Sequence, residues 1–186
     1  DIKLSLEKCV FGVPARKLLG FIVSSRGIEA NPAKIRALSQ LAIPTDLKQI
    51  QKLTGCVAAL SRFISRLGEK ALPLYRLLRR TEHFQWTDAA TAGSEDIKAI
   101  LATNPILVVP NVIEPMLLYI AATHQVVSAV LVVERETDGH KFPLQRPVYY
   151  VSTILTPCKS WYPHYQKIAY AVFMASRKLR HYFQEC

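Results

Sequence analysis

Residues 118–134 read LYIAATHQVVSAVLVVE, two apolar runs rich in β-branched residues joined by Ala-Thr-His-Gln, the pattern of a packed β-hairpin. The nineteen residues from position 115 to 133 contain no Asp, Glu, Lys or Arg. A polar turn is predicted at residues 136–140 and a third strand at 148–152, which extends the hairpin into an antiparallel meander. A long helix follows over residues 165–183, where Ile168, Val172, Ala175, Leu179 and Phe183 recur at helical spacing. The second half of an α+β chain is therefore expected to be three strands covered by one helix.

The wider composition limits the alternatives. With 186 residues, 50% apolar and 20% charged, the chain is globular and large enough for one ordinary domain or two small ones. No apolar stretch approaches the ~20 residues that cross a bilayer, so no membrane partner is expected. The N-terminus lacks a signal-peptide hydrophobic region, and it lacks an initiator Met, which points to a piece of something longer. Cys9, Cys56, Cys158 and Cys186 form no CxxC pair. They are expected as free thiols in an intracellular, cytoplasmic or nuclear, setting, with no metal bound.

Charge is unevenly spread along the chain. Residues 1–80 carry fifteen Lys and Arg against five Asp and Glu, whereas residues 81–186 carry nine of each. An excess of this size on so short a segment implies a polyanionic partner, above all nucleic acid.

In that basic segment, strands are expected at residues 8–13 and 17–24 around a turn at Pro14, Ala15 and Arg16, with Gly20 marking a bulge and residues 25–27 a second turn. Asn31-Pro32 caps and opens a helix whose Ile35, Leu38 and Leu41 share one face. Thr45 is expected to cap the next helix, running from Asp46 to Leu67, and a short one from Pro73 into the basic residues 76–80. Beyond that, a short strand is expected at 84–86 and a helix from Thr87-Asp88 to Leu101, weakened by Gly93.

Projected at 100° per residue, the helix from position 46 to 67 separates into two faces. Ile50, Leu53, Val57, Leu60, Ile64 and Leu67 form one. The other holds Lys48, Gln51, Gly55, Ala58, Ala59, Arg62 and Arg66. Glycine inside a helix costs about 1 kcal/mol relative to alanine, so Gly55 needs a reason. A small-residue face flanked by Gln and Arg lets a backbone or sugar edge approach while the flanking donors reach phosphates. A tolerated exposed face, or a helix crossing at Gly55, accounts for the same residues.

Resemblance to a known family separates these readings. KQIQKLTGCVAALSRFI (residues 48–64) resembles the thumb helix of retroviral and retrotransposon reverse transcriptases, in which an IQKLxG segment tracks the minor groove of template and primer. KCVFGVPARKLLGFIVSSRGIEANPAKIRAL (8–38) is similar to the end of the palm in gypsy-type long-terminal-repeat retrotransposons, and FQWTDAA (84–90) to the start of their connection. The resemblance implies groove contacts at Gln51, Gly55 and Ala59, to which the projection adds Lys48, Arg62 and Arg66. It implies a primer-grip-like hairpin at Leu19, Gly20 and Phe21.

The same resemblance extends to the quoted hairpin, whose counterpart in the family is the first pair of strands of an RNase H-like domain, reading roughly Y-T-D-A-S and then G-x-G-A-V-L. Ala121 stands where the family has its first catalytic aspartate, and Ile168, in QKIAYAVFMASRKLRHYF (166–183), where it has the catalytic glutamate. RNase H chemistry uses clustered carboxylates to hold two divalent ions, so Mg2+ is implied for the intact family enzyme and none for this chain. The helix has no carboxylate in any register, since residues 159–184 contain neither Asp nor Glu. Glu134, Glu136 and Asp138 read as a solvated loop.

These readings divide the chain into a palm-end hairpin (1–30), a helical thumb (31–80), a connection (81–114) and a truncated RNase H-like domain (115–186) with an unpaired sheet edge. The expected function is a fragment of a retrotransposon Pol polyprotein that binds an RNA/DNA or DNA primer-template duplex and holds no complete active site. The expected partners are that duplex and the rest of the polyprotein. Two alternatives remain at this point, a segment of an active RNA-directed DNA polymerase whose palm lies upstream, and a co-opted structural remnant.

Overall fold

A tight hairpin opens the fold in this computed structural model, which describes residues 11–78, 84–137, 139 and 141–183. Ala15–Leu18 (β1) pairs antiparallel with Phe21–Ser24 (β2), Leu18 opposite Phe21. Leu19 at φ 47° and Gly20 at φ 84° make the two-residue turn, both in the left-handed region that matches the twist of the flanking strands. This corrects the expected turn at Pro14, Ala15 and Arg16 and the bulge at Gly20. Arg16 and Lys17 are strand residues, residues 11–13 form no strand, and 8–10 lie outside the described residues. After the second turn Gly27–Ala30 (β3) pairs with β2, then with Ile106–Leu107 (β4), giving the order β1-β2-β3-β4. Gly27, at φ 128°, permits that last pairing, because a β-carbon there would lie 2.2 Å from the Leu107 carbonyl oxygen.

Pro32–Ser39 (α1) begins as expected, with the Asn31 side chain accepting from the Ala33 N–H at 2.9 Å. Leu47–Ala59 (α2) is capped by Asp46 rather than by Thr45: Asp46 Oδ1 accepts from the Gln49 N–H at 2.8 Å. The Gln49 side chain reaches back to accept from the N–H of Thr45, the residue before the cap, at 3.3 Å, and donates to the Thr45 hydroxyl at 3.0 Å. The helix expected to reach Leu67 stops at Ala59. A 3-10 turn at Ser61–Phe63, an extended Ile64 and a left-handed Arg66 (φ 53°) lead into Leu67–Arg76 (α3). The bend buries Leu60, Phe63 and Ile64 together, each at 1% exposure or less, which offsets the helical hydrogen bonds given up. Pro73 lies inside α3 instead of opening a helix.

Asp88–Ala102 (α4) is capped by Thr87 as expected, but residues 84–87 form no strand. Gly93 earns its place by packing, since a β-carbon on it would lie 2.2 Å from the Lys70 carbonyl oxygen of α3. Buried residues from β3, β4 and α1 to α4 form one continuous core.

The predicted meander is a separate sheet of Met116–Ala122 (β5), Val126–Arg135 (β6) and Leu144–Ile154 (β7) in the order β5-β6-β7. After one turn at Pro157–Ser160 (α5), the single long helix of expectation is two, His164–Lys178 (α6) and Arg180–Phe183 (α7), parted at Leu179. The buried stripe is Lys167, Ala171, Ala175 and Leu179. Val172 and Phe183, assigned to it by periodicity, are 44% and 42% exposed. Lys167 is buried by a local tie, its Nζ donating to the His124 carbonyl at 3.1 Å.

The second sheet is covered on both faces. Helix α6 packs on the side carrying Ile120, Ala122, Val127 and Ala129. On the other side α3 is seated by its N-terminus, where the Gly68 N–H donates to Ser152 Oγ at 2.8 Å and Ser152 Oγ meets Ser128 Oγ at 2.8 Å. Arg76 Nη2 donates to Gln125 Oε1 at 2.7 Å farther along.

Two glycines then respond oppositely to the same change. Gly93→Ala should destabilise the fold by about 1–3 kcal/mol through overpacking, despite alanine's higher helix propensity. Gly55→Ala, where nothing lies within 4 Å, should stabilise it by about 1 kcal/mol. Urea unfolding of the two variants measures both signs.

Candidate nucleic-acid interface

Helix α2 presents a solvent face built as the projection describes. Lys48, Gln51, Gly55, Ala58 and Ala59 are exposed, while Ile50, Leu53, Thr54 and Val57 are buried. Among the described residues no element crosses α2 at Gly55, where an added β-carbon would meet open space. Lys52 is exposed on the same face and belongs with this set. At 100° per residue Lys52 falls just beyond Ala59 on the side away from Lys48, so the pattern that selects Lys48 and Ala59 also marks Lys52.

Arg62 and Arg66 do not extend this face, because the helix breaks before them. Arg66 forms an ion pair with Glu69 one turn along α3. Arg62, half-buried, is held between two rings. Its guanidinium carbon lies 4.8 Å from the Phe21 ring centre and 4.7 Å from that of Tyr149, and its Nη2 donates to the Tyr149 hydroxyl at 3.4 Å. Burial pushes the Tyr182 phenol up, and the nearby Arg62 charge opposes that shift.

The hairpin residues divide likewise. Leu19, 89% exposed, is the tip of the turn. Gly20 leaves room for a lysine, a β-carbon there falling 2.7 Å from Lys34 Nζ, and that amine sits 5.4 Å from the Phe21 ring centre. Phe21 packs tilted against Phe63 at 5.7 Å between centroids. The β1–β2 hairpin therefore leans on the bend after α2 through Phe21, with Arg16, Lys17 and Leu19 exposed.

Ala121 and Ile168 are separated by the second sheet. Ala121 pairs with Ser128, and both turn to the face where Ser65 and Arg66 border a shallow apolar groove with Tyr119 and Tyr150. Ile168 is half-buried on α6, which covers the opposite face. Neither side chain has an oxygen to offer a divalent ion, and among the described residues no group of three or more His, Cys, Asp and Glu comes together. The residues at these positions do not fit the two-ion site of RNase H chemistry.

The nearby acids serve other ends. Glu134, exposed at the end of β6, accepts from Gln145 Nε2 at 3.0 Å. Glu114 is gripped by Arg135, whose Nε and Nη2 donate to it at 2.8 and 2.7 Å, and it accepts from the Asn111 N–H at 2.7 Å. Asp138 lies outside the described residues. Cys56 and Cys158 are free thiols, and Cys9 and Cys186 lie outside the described residues.

Residues 86–186 match the RNase H-like domain found in reverse transcriptase. The chain belongs to this family. It is also 28% identical over 187 residues to the retrovirus-related Pol polyprotein from transposon 297 of Drosophila melanogaster, a match covering 98% of this chain and 16% of that protein. The Tf2-3 transposon polyprotein of Schizosaccharomyces pombe is 27% identical over 184 residues, covering 99% and 13%. The chain thus spans less than a fifth of the length of these relatives. Among solved structures it is similar to the foamy viral protease-reverse transcriptase in complex with an RNA/DNA hybrid (TM-score 0.73, 19% identity, 94% of this chain and 23% of that one). A dRH form of that protein in complex with double-stranded DNA gives the same TM-score at 20% identity, over 90% and 28%. Sequence and fold agree on a reverse transcriptase/RNase H-like region of a retroelement Pol polyprotein with a mixed helix and antiparallel-sheet architecture. No helix among the described residues is long and apolar enough to cross a membrane.

The Glu114–Arg135 pair generates a pH prediction. Hydrogen bonds from Arg135, then the Asn111 N–H, hold the Glu114 carboxyl at about 2 against an ordinary 4.5. A depressed carboxylate pKa adds stability that is fully present above 4.5 and is lost as pH falls through about 2. Urea midpoints measured from pH 5 down to pH 2 should fall, and Glu114→Gln should flatten that slope while lowering stability at neutral pH.

Proposed function

We propose that the chain binds a nucleic-acid duplex through the exposed face of α2, as the duplex-holding part of a reverse transcriptase whose polymerase chemistry resides in other residues of the polyprotein. Lys48 and Lys52 supply charge to phosphates, Gln51 an amide that donates and accepts, and Gly55 and Ala59 a bare stretch along which a sugar edge can lie. Exposed Arg16 and Lys17 on the β1–β2 hairpin add to the basic surface, with Leu19 at its tip in the place of a primer grip. The observation that carries this reading is Gly55, a glycine inside a helix with none of the described residues packed on it. Its cost of about 1 kcal/mol has no return among the described residues and is offset if another body comes close.

On this reading the chain by itself catalyses nothing. Ala121 and Ile168 supply no metal ligand, and the RNase H-like sheet serves as scaffold. Two solved structures of similar fold are complexes with an RNA/DNA hybrid and with double-stranded DNA, which supports a duplex as the ligand.

Binding of a primer-template duplex should weaken steeply as salt rises, because each phosphate contact releases counterions. Gly55→Leu should leave the urea midpoint unchanged or higher while weakening duplex binding about tenfold, a loss of about 1.4 kcal/mol. Gln51→Ala should weaken it less. Salt-independent binding, or a Gly55→Leu variant that binds normally, would overturn the assignment.

A further inference from the structure

Arg62 joins three parts of the chain that are far apart in sequence. Phe21 comes from the β1–β2 hairpin, Arg62 from the bend after α2, and Tyr149 from the middle of β7. The guanidinium lies between the two rings at nearly equal distances, 4.8 and 4.7 Å, and adds a hydrogen bond to the Tyr149 hydroxyl. Phe21 is also met by Lys34 and packs on the buried Phe63. The stack therefore runs from the turn end of the hairpin, where Phe21 pairs with Leu18, through the bend, onto the RNase H-like sheet. Cations over aromatic faces gain most where water is partly excluded, as it is at half-buried Arg62. A planar guanidinium can stack on two rings at once, which a lysine ammonium cannot do.

We propose that Arg62 is a positioning residue, which fixes the hairpin and the α2 face to the RNase H-like sheet so that hairpin and helix meet one duplex in a set orientation, rather than a residue that contacts phosphate. The effect on binding rests on the duplex-binding reading above; the effect on geometry does not. The sheet then acts at a distance from any nucleic acid. Tyr149, on β7, becomes a determinant of how the hairpin is held.

The two roles predict different patterns. A phosphate contact tolerates Arg62→Lys, loses about one unit of salt slope in Arg62→Ala, and is indifferent to Tyr149. A positioning stack loses about tenfold in duplex affinity in Arg62→Ala, Arg62→Lys and Tyr149→Ala alike, with the salt slope unchanged. The double variant Arg62→Ala/Tyr149→Ala should bind no worse than either single one, since both remove the same unit.

Geometry is read separately, as the distance distribution between spin labels at Leu19 on the hairpin tip and Gln145 on β7, in the free protein. It should be narrow in the parent and broaden in all three single variants, with circular dichroism confirming that each remains folded. Broadening without any duplex binding in the parent would uphold the stack and overturn the duplex reading. An unchanged distribution, or normal binding by Arg62→Lys with a reduced salt slope in Arg62→Ala, would overturn the positioning role.

Discussion

The close seating of α3 between α4 and the second sheet is the constraint on which the rest of the fold depends. Two bare positions make it possible. Gly68 brings the α3 N-terminus onto β6 and β7, where a β-carbon would lie 2.6 Å from Val126 Cγ1 and 2.7 Å from Ser152 Oγ, and Gly93 brings α4 onto the Lys70 carbonyl. Protein interiors are packed too densely to absorb even one extra methyl at such contacts without displacement. Ser152, itself hydrogen-bonded to Ser128, then satisfies the Gly68 N–H at the interface, where an unpaired donor would be costly. One helix thus belongs to two layers, and the basic first half and the RNase H-like second half share a wall.

Some of this architecture was readable locally. The Asn31 and Thr87 caps, the two faces of α2 and the three-strand meander follow from side-chain chemistry and period, which act within a few residues. The bend after Ala59 was not, because Ile64 and Leu67 continue the 3.6-residue period of Ile50, Leu53, Val57 and Leu60 as though the helix went on. What ends it is the gain from burying Phe63 and Ile64 against elements elsewhere in the chain, and no local residue announces that. Leu19 is similar. Leucine is a poor candidate for a left-handed turn, so Pro14 drew the turn upstream, whereas the pairing of β2 with β3, and of β3 with β4, sets where the hairpin reverses. On α6, periodicity placed Val172 in the core in preference to Lys167, since a lysine is rarely buried; the His124 carbonyl at the turn before β6 reverses that order.

The candidate interface shows the same division. Gln51, Gly55 and Ala59 were legible because they lie on one regular helix and their face needs no partner within the chain. Arg62 was not, since its surroundings are made by Phe21 and Tyr149, 41 and 87 positions away. Charge bookkeeping by halves credited it to the basic surface, and only the break in the helix withdraws it.

Alanine at position 121 and isoleucine at position 168 have a physical consequence for that wall. Ala121 lies on the face turned towards Ser65 and Arg66, where the groove is lined almost entirely by apolar surface and the one cation on its rim is already paired with Glu69. A carboxylate at position 121 would sit beside that wall without a free counter-charge among the described residues lining it, a costly arrangement unless a cation came with it. Alanine carries no such requirement, and neither does isoleucine at 168, half-buried on the other side. With uncharged residues at these two positions the sheet is pressed by helices on both faces, and its β7 offers Tyr149 to Arg62 and Ser152 to Gly68. Ala121 and Ile168 are therefore compatible with the sheet's serving as the support against which α3 and the bend before it are held.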